Sequence, residues 1–233
     1  MVVILFDLEG TLVQSIESNQ EAILEFRSET RKKLLSLGIP PKKLEGVIAS
    51  TLMRNIAFEY VEENFSEEEL KRFHDELDEF LKNYELRWAG WSRIFLDTVP
   101  SLQQLKETGY KMGVVTNTSR EAANRILSAH ELRAFFDVIV TREDVKKLKP
   151  DPQGIRFALE KLKERYFFFI GDLVHDARAA EKAGGFSINI NRGAPKKLKF
   201  HADYRVRSLT EIPHLIQRIE CSYRDSGSTR ASI

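Results

Sequence analysis

The chain is poor in the residues that would mark a secreted scaffold or a soft-metal protein. Its single cysteine, Cys221, can form no disulfide within the chain and no Cys-based zinc cluster. Net charge is almost absent: 36 basic residues stand against 35 acidic ones, so no overall field would draw the chain to nucleic acid or to a membrane surface. No run approaches the ~18 apolar residues of a membrane span. The apolar opening stretch reaches Asp7 within a few residues, too soon for the central segment of a signal peptide. Internal repeats and low-complexity tracts are also missing. These absences predict a cytoplasmic protein with neither nucleic acid nor membrane as partner, and they leave oligomeric state open.

What is present is ample for a core. A chain of 233 residues that is 42% hydrophobic fits one large domain, or a domain with an insert. Two textures run along it. From about Ser18 to Trp91 the pattern is helical, with no convincing alternating strand. "NQEAILEFRSETRKKLLSLG" places Ile23, Phe26, Leu34 and Leu37 at helical spacing and stops at Gly38, ahead of Pro40 and Pro41. A second helix is expected through Leu44, Val47, Ile48 and Leu52. A third is expected behind the Ser66/Glu69 capping-box pattern, with Leu70, Phe73, Leu77, Leu81 and Tyr84 as its apolar stripe.

After Pro100 short apolar strands alternate with helices. The candidate strands are 111–116, 137–141, 166–172 and 186–190, and the opening stretch 2–6 has the same character. Strands that are apolar throughout and joined by helices predict an α/β fold, a doubly wound parallel sheet covered on both faces. The helical block then reads as a cap inserted after the first strand. The expected division is a core of 1–16 and 95–220, a helical cap of 17–94 and a flexible tail over 221–233.

In such a sheet ligands bind beyond the carboxyl ends of the strands. There this sequence places Asp7 and Glu9, Thr116 and Asn117, and Asp172 and Asp176, with Lys149 ahead of "PDP" between the third and fourth candidate strands. Each has a plainer reading alone. An acid at a strand end can cap a turn, Thr116 and Ser119 can cap a helix, and Lys149 and His175 can be surface residues. Three carboxylates converging on one edge would repel unless a cation or a lysine sat among them, and a hard divalent ion such as Mg²⁺ suits oxygen donors.

These motifs resemble those of the haloacid dehalogenase superfamily: "FDLEGTLV", "VVTNTS", the lysine before "PDP", and "GDLVHDARAAEKAG". The resemblance covers roughly residues 1–208 and is nearest the phosphoglycolate phosphatase-like branch. It implies a Rossmann-like core with a C1-type helical cap, and a Mg²⁺-dependent phosphatase acting on a small phosphorylated metabolite. Asp7 becomes the nucleophile. The metal falls to Asp7, the backbone carbonyl of Glu9, Asp172 and Asp176; the phosphate falls to Thr116, Asn117 and Lys149. In caps of this type the loop near "ASTLMR" often faces substrate, which makes Ser50, Thr51 and Arg54 candidate contacts. Trp88 and Trp91 are expected to pack at the hinge.

Glu9 departs from the pattern, which has aspartate there as general acid and base. Its extra methylene shifts the carboxyl by over an ångström, and misplacement of about 1 Å can cost ~10²-fold. An intact or slowed phosphatase is therefore expected. The alternatives are a metal-free dehalogenase, a phosphomutase and a non-catalytic phosphate-binding relative.

Overall fold

The structure is a computed structural model that describes residues 2–14, 19–192 and 200–226. Its centre is a six-stranded, all-parallel sheet in the order β3-β2-β1-β4-β5-β6. The strands are β1 (Val3–Phe6), β2 (Lys111–Val115), β3 (Val138–Val140), β4 (Phe167–Gly171), β5 (Phe186–Ile190) and β6 (Tyr204–Val206). Chain order reverses between β1 and β4, and the connections leave on opposite faces there. In open α/β sheets such a switch point, beyond the carboxyl ends of the two strands, is where ligands bind.

The unbroken apolar strands follow from helices covering both faces. Ile4, Phe6, Phe168 and Ile170 pack against α5 (Thr98–Glu107), α6 (Arg120–Ala129) and α9 (Ile212–Ser226). Val3, Leu5, Phe167 and Phe169 point the other way, onto α7 (Gln153–Leu162) and α8 (Val174–Ala183). The sixth strand escaped the sequence reading because three residues, with the exposed Arg205 in the middle, are too few to show a period. Helix α9 runs through Ser226, into the stretch expected to be a tail; 227–233 lie outside the described residues.

The segment between β1 and α5 folds as α1 (Gln20–Ser36), α2 (Pro41–Leu44), α3 (Ser50–Asn64) and α4 (Glu67–Ala89), with its own core of Phe26, Leu34, Met53, Phe58, Phe73 and Leu77 among others. Asn19 caps α1 by accepting from the Ala22 N–H, and the Ser66/Glu69 box caps α4 in both directions. The single helix expected through Leu44 and Leu52 is corrected. α2 stops at Leu44, Gly46 takes a positive φ of 72°, and α3 begins at Ser50, so Ile48 sits in an exposed linker. Ser50 and Thr51, read as loop residues, belong to the first turn of α3. Trp88 packs edge-on against Phe26 at 4.7 Å, inside this helical core. Trp91 does not pack at the hinge, being 87% exposed. Among the described residues no helix is long and apolar enough to cross a membrane.

Candidate active site

The residues that follow β1 and β4 meet across the switch point. Asp7 comes straight after β1, with its N–H bonded to the Ile170 carbonyl at 2.9 Å, and Asp172 comes straight after β4. Asp176 lies on the first turn of α8. Asp7, Asp172 and Asp176 each present a carboxylate oxygen, and these atoms all lie within 4.8 Å of one another. Two glycines make the room. A Cβ on Gly10 would stand 2.3 Å from Asp172 Oδ2, and one on Gly171 would stand 2.4 Å from the Asp176 side chain.

Lys149 reaches into this cluster. Its Nζ is 2.6 Å from Asp7 Oδ1 and 2.7 Å from Asp176 Oδ1, and all three side chains are buried. Burial acts against the ammonium, but Asp176 and Asp7 outweigh it and hold the Lys149 pKa above the usual lysine value. For Asp7 burial wins. It pushes the carboxyl up to about 7 against the pull of Lys149, and Asp176 adds to the rise. The pair differs because one ammonium is shared between two buried carboxylates.

The donor set fits a hard divalent cation. Three carboxylates, two of them paired with one ammonium, offer only oxygen donors within a few ångströms of one another. Imidazole and thiolate play no part in the cluster. His175 lies beside it, half-buried rather than on the surface as expected, and burial lowers its pKa.

Thr116 follows β2 and is buried, its Oγ1 accepting the Thr118 N–H at 3.2 Å. Asn117 turns its carboxamide onto the backbone of Lys149, accepting from the N–H at 3.0 Å and donating to the carbonyl at 3.2 Å. The Glu9 carboxylate accepts from the hydroxyl of Thr118 at 2.6 Å.

Arg54 is placed differently from the phosphate contact expected of it. It is buried on α3, its Nη1 donates to the Lys146 carbonyl at 3.0 Å, and its guanidinium stacks 3.8 Å over the Phe58 ring. Burial pulls its pKa down to about 10. Below it Arg142, whose side chain is 1% exposed, bonds Glu85 and Asp78 on α4, while Glu85 accepts the Ser119 N–H at 2.9 Å. Burial raises the Glu85 pKa, with Arg142 opposing. The sequence reading missed Thr118, although it stands two residues beyond Thr116 in the same quoted motif. It also missed Asn55, Glu85 and Arg142, which leave no local pattern because their partners lie far along the chain.

A family model described as haloacid dehalogenase-like hydrolase matches residues 4–190. The chain belongs to the haloacid dehalogenase-like hydrolases. The match runs from within β1 to the end of β5 and takes in every residue of the Asp7 cluster. A pyrophosphatase PpaX from Bacillus velezensis is 28% identical over 225 residues, covering 91% of this chain and 94% of its own. A second PpaX, from Bacillus cereus, is 30% identical over 187 residues, covering 78% and 79%. The crystal structure of a HAD phosphatase from Thermococcus onnurineus superposes with a TM-score of 0.59 at 26% identity, covering 93% of this chain and 98% of that one. A 2-haloacid dehalogenase from Pseudomonas syringae pv. tomato, at 22% identity and a TM-score of 0.55 with 94% and 100% covered, shares the fold.

Proposed function

We propose that this member of the hydrolase family is a Mg²⁺-dependent phosphatase that hydrolyses a small phosphorylated metabolite through an aspartyl-phosphate on Asp7. The observation that carries the reading is the approach of Lys149 Nζ to within 2.6 Å of Asp7 Oδ1, inside a cluster that also holds Asp172 and Asp176. A dehalogenase needs no metal, so a carboxylate trio with the spacing of an ion site favours the phosphatase.

In the first step a carboxylate oxygen of Asp7 attacks phosphorus in line, an O–P bond forms, and the bond to the leaving alkoxide breaks. Glu9 gives the alkoxide its proton. In the second step Glu9 takes a proton from water, the water oxygen attacks phosphorus, and the Asp7–phosphorus bond breaks to release phosphate. Lys149 offsets the charge of Asp7 and of the phosphoryl oxygens, and Thr116 and the backbone N–H of Asn117 donate to those oxygens. Asp7, the Glu9 carbonyl, Asp172 and Asp176 would hold Mg²⁺. That ion supplies positive charge that favours the ionised Asp7 and neutralises the transferring group.

Residues 17–94 act as a lid over the core of 1–16 and 95–220, excluding water and reading the leaving group. Arg54, tied to Lys146 and Phe58, contributes to the seating of that lid more than to the phosphate. The single cysteine suits a reducing, cytoplasmic setting. Substrates to test are phosphoglycolate, sugar phosphates and, because the Bacillus relatives are named pyrophosphatases, inorganic pyrophosphate.

The test is hydrolysis of p-nitrophenyl phosphate with Mg²⁺, followed by the metabolite panel. Activity should vanish with EDTA, return with Mg²⁺ and be lost in Asp7→Asn. Turnover that survives Asp7→Asn overturns the assignment.

A further inference from the structure

The loop that carries Lys149 into the cluster runs from 146 to 149 between the β3 side of the core and helix α3 of the lid. It has no regular structure of its own, so its place is set by the groups that satisfy its backbone. From the core, the Asn117 carboxamide accepts from the Lys149 N–H and donates to the Lys149 carbonyl. From the lid, Asn55 makes the same double contact one residue earlier. Its Nδ2 donates to the Leu148 carbonyl at 2.9 Å, and its Oδ1 accepts the Leu148 N–H at 3.0 Å.

Two successive residues are thus gripped at both N–H and C=O by two carboxamides, one from the loop after β2 and one from α3. The other contacts between the lid and this loop are weaker in kind. Lys146–Glu62 and Lys147–Glu59 are exposed ion pairs, open to screening by salt, and Arg54 holds only the Lys146 carbonyl.

We infer that Asn55 is a positioning residue, through which the seated lid holds Leu148 and so fixes the Lys149 ammonium against Asp7 and Asp176. The seating of the lid and the placement of the lysine are then one event. Substrate closed under α3 meets a positioned ammonium. A lid lifted from the core withdraws the grip on Leu148 or drags the loop with it. The catalytic consequence rests on the phosphatase reading above, whereas the grip itself can be measured without turnover.

The experiment compares wild type, Asn55→Ala and Asn55→Ser, with Glu76→Gln as a control that breaks an ion pair internal to the lid. Steady-state kinetics on p-nitrophenyl phosphate with Mg²⁺ is paired with backbone hydrogen exchange of the peptide spanning 145–149. In Asn55→Ala, kcat should fall roughly ten- to a hundredfold, the scale of a displacement approaching 1 Å, with KM within about threefold. Exchange in that peptide should rise. Asn55→Ser, whose hydroxyl keeps a polar group at the site, should retain more of the rate, and Glu76→Gln should match wild type. In a Lys149→Met background, Asn55→Ala should bring no further fall in kcat.

Unchanged exchange at 145–149 in Asn55→Ala overturns the inference, and so does a fall in kcat of the same size with Lys149 already removed. A wild type inactive on every phosphoester defeats the phosphatase reading instead, and the exchange measurement then still decides whether Asn55 holds the loop.

Discussion

The hydroxyl of Thr118 donates to Oε2 of Glu9 at 2.6 Å, which ties the acid/base candidate to the loop that follows β2. A glutamate has one more rotatable bond than the aspartate usual at this position, and the threonine removes part of that freedom. Thr118→Val should therefore lower kcat by about tenfold, a fraction of the ~10²–10⁴ that acid–base catalysis supplies. With Glu9→Asp already in place the shorter side chain no longer depends on Thr118 in the same way, so the two changes should not add. A double-mutant cycle in kcat/KM measures the coupling, and strict additivity would count against it.

Gly10 is held at a φ of +82°, with the space over its α-carbon filled by the Asp172 carboxyl. Gly10→Ala is expected to cost about 1–2 kcal/mol for the left-handed backbone alone and to push Asp172 out of line with Asp7. Mg²⁺ affinity, read by calorimetry, should drop more than urea stability does. Wild-type affinity in the variant would show that Asp172 is not needed for the ion.

Arg142 and Glu85 form a buried ion pair between the turn after β3 and helix α4 of the helical insert. Removing one member strands the other charge out of water, so Glu85→Ala should destabilise the fold by about 3–5 kcal/mol in urea unfolding. Glu85→Gln, which can still accept the Ser119 N–H, should cost less. Replacing both, as in Glu85→Leu with Arg142→Met, should recover most of the loss.

Asp97 links three parts of the core. Burial works to raise its pKa, but the Ser208 hydroxyl, the Leu209 N–H and Arg192 together bring it below its ordinary value of 3.8. A carboxyl with a depressed folded pKa stabilises the fold above its unfolded pKa and loses that contribution as pH falls through the folded one. Asp97→Asn should therefore be less stable than wild type by about 1 kcal/mol at pH 7. Thermal melts taken below pH 4 should show the two converging.

Much of the site was legible because a parallel sheet lines up its carboxyl ends whatever the distance between them in sequence. Asp7, Thr116 and Asp172 each follow an apolar run, so finding the runs found the acids and the threonine. Lys149 was legible from its proline-bounded context and the family pattern. The interior of the lid was harder to read. Leu44, Val47, Ile48 and Leu52 have helical spacing, yet Gly46 breaks the chain between them, and spacing alone carries no penalty for that. Arg54 was expected to face the substrate because nothing local announces Lys146 as its partner, and the i,i+4 spacing to Phe58 does not by itself show a stacked guanidinium. Asn55, Thr118 and Arg142 act on backbone or side chains many residues away, and such contacts leave no period to detect.

Strand β1 is made before either of the strands it pairs with. Val3 stands in register with Lys111 on one side and Phe167 on the other, so one edge of β1 stays bare until α1 to α4 have emerged from the ribosome, and the other until β3 and α7 have followed. The helical insert, with a core of its own, can condense early, while Val3–Phe6 waits as an unsatisfied apolar ribbon open to mispairing with other nascent chains. Assembly is thus governed by long-range closure, and this topology commits the protein to slow folding compared with a helical bundle of the same length.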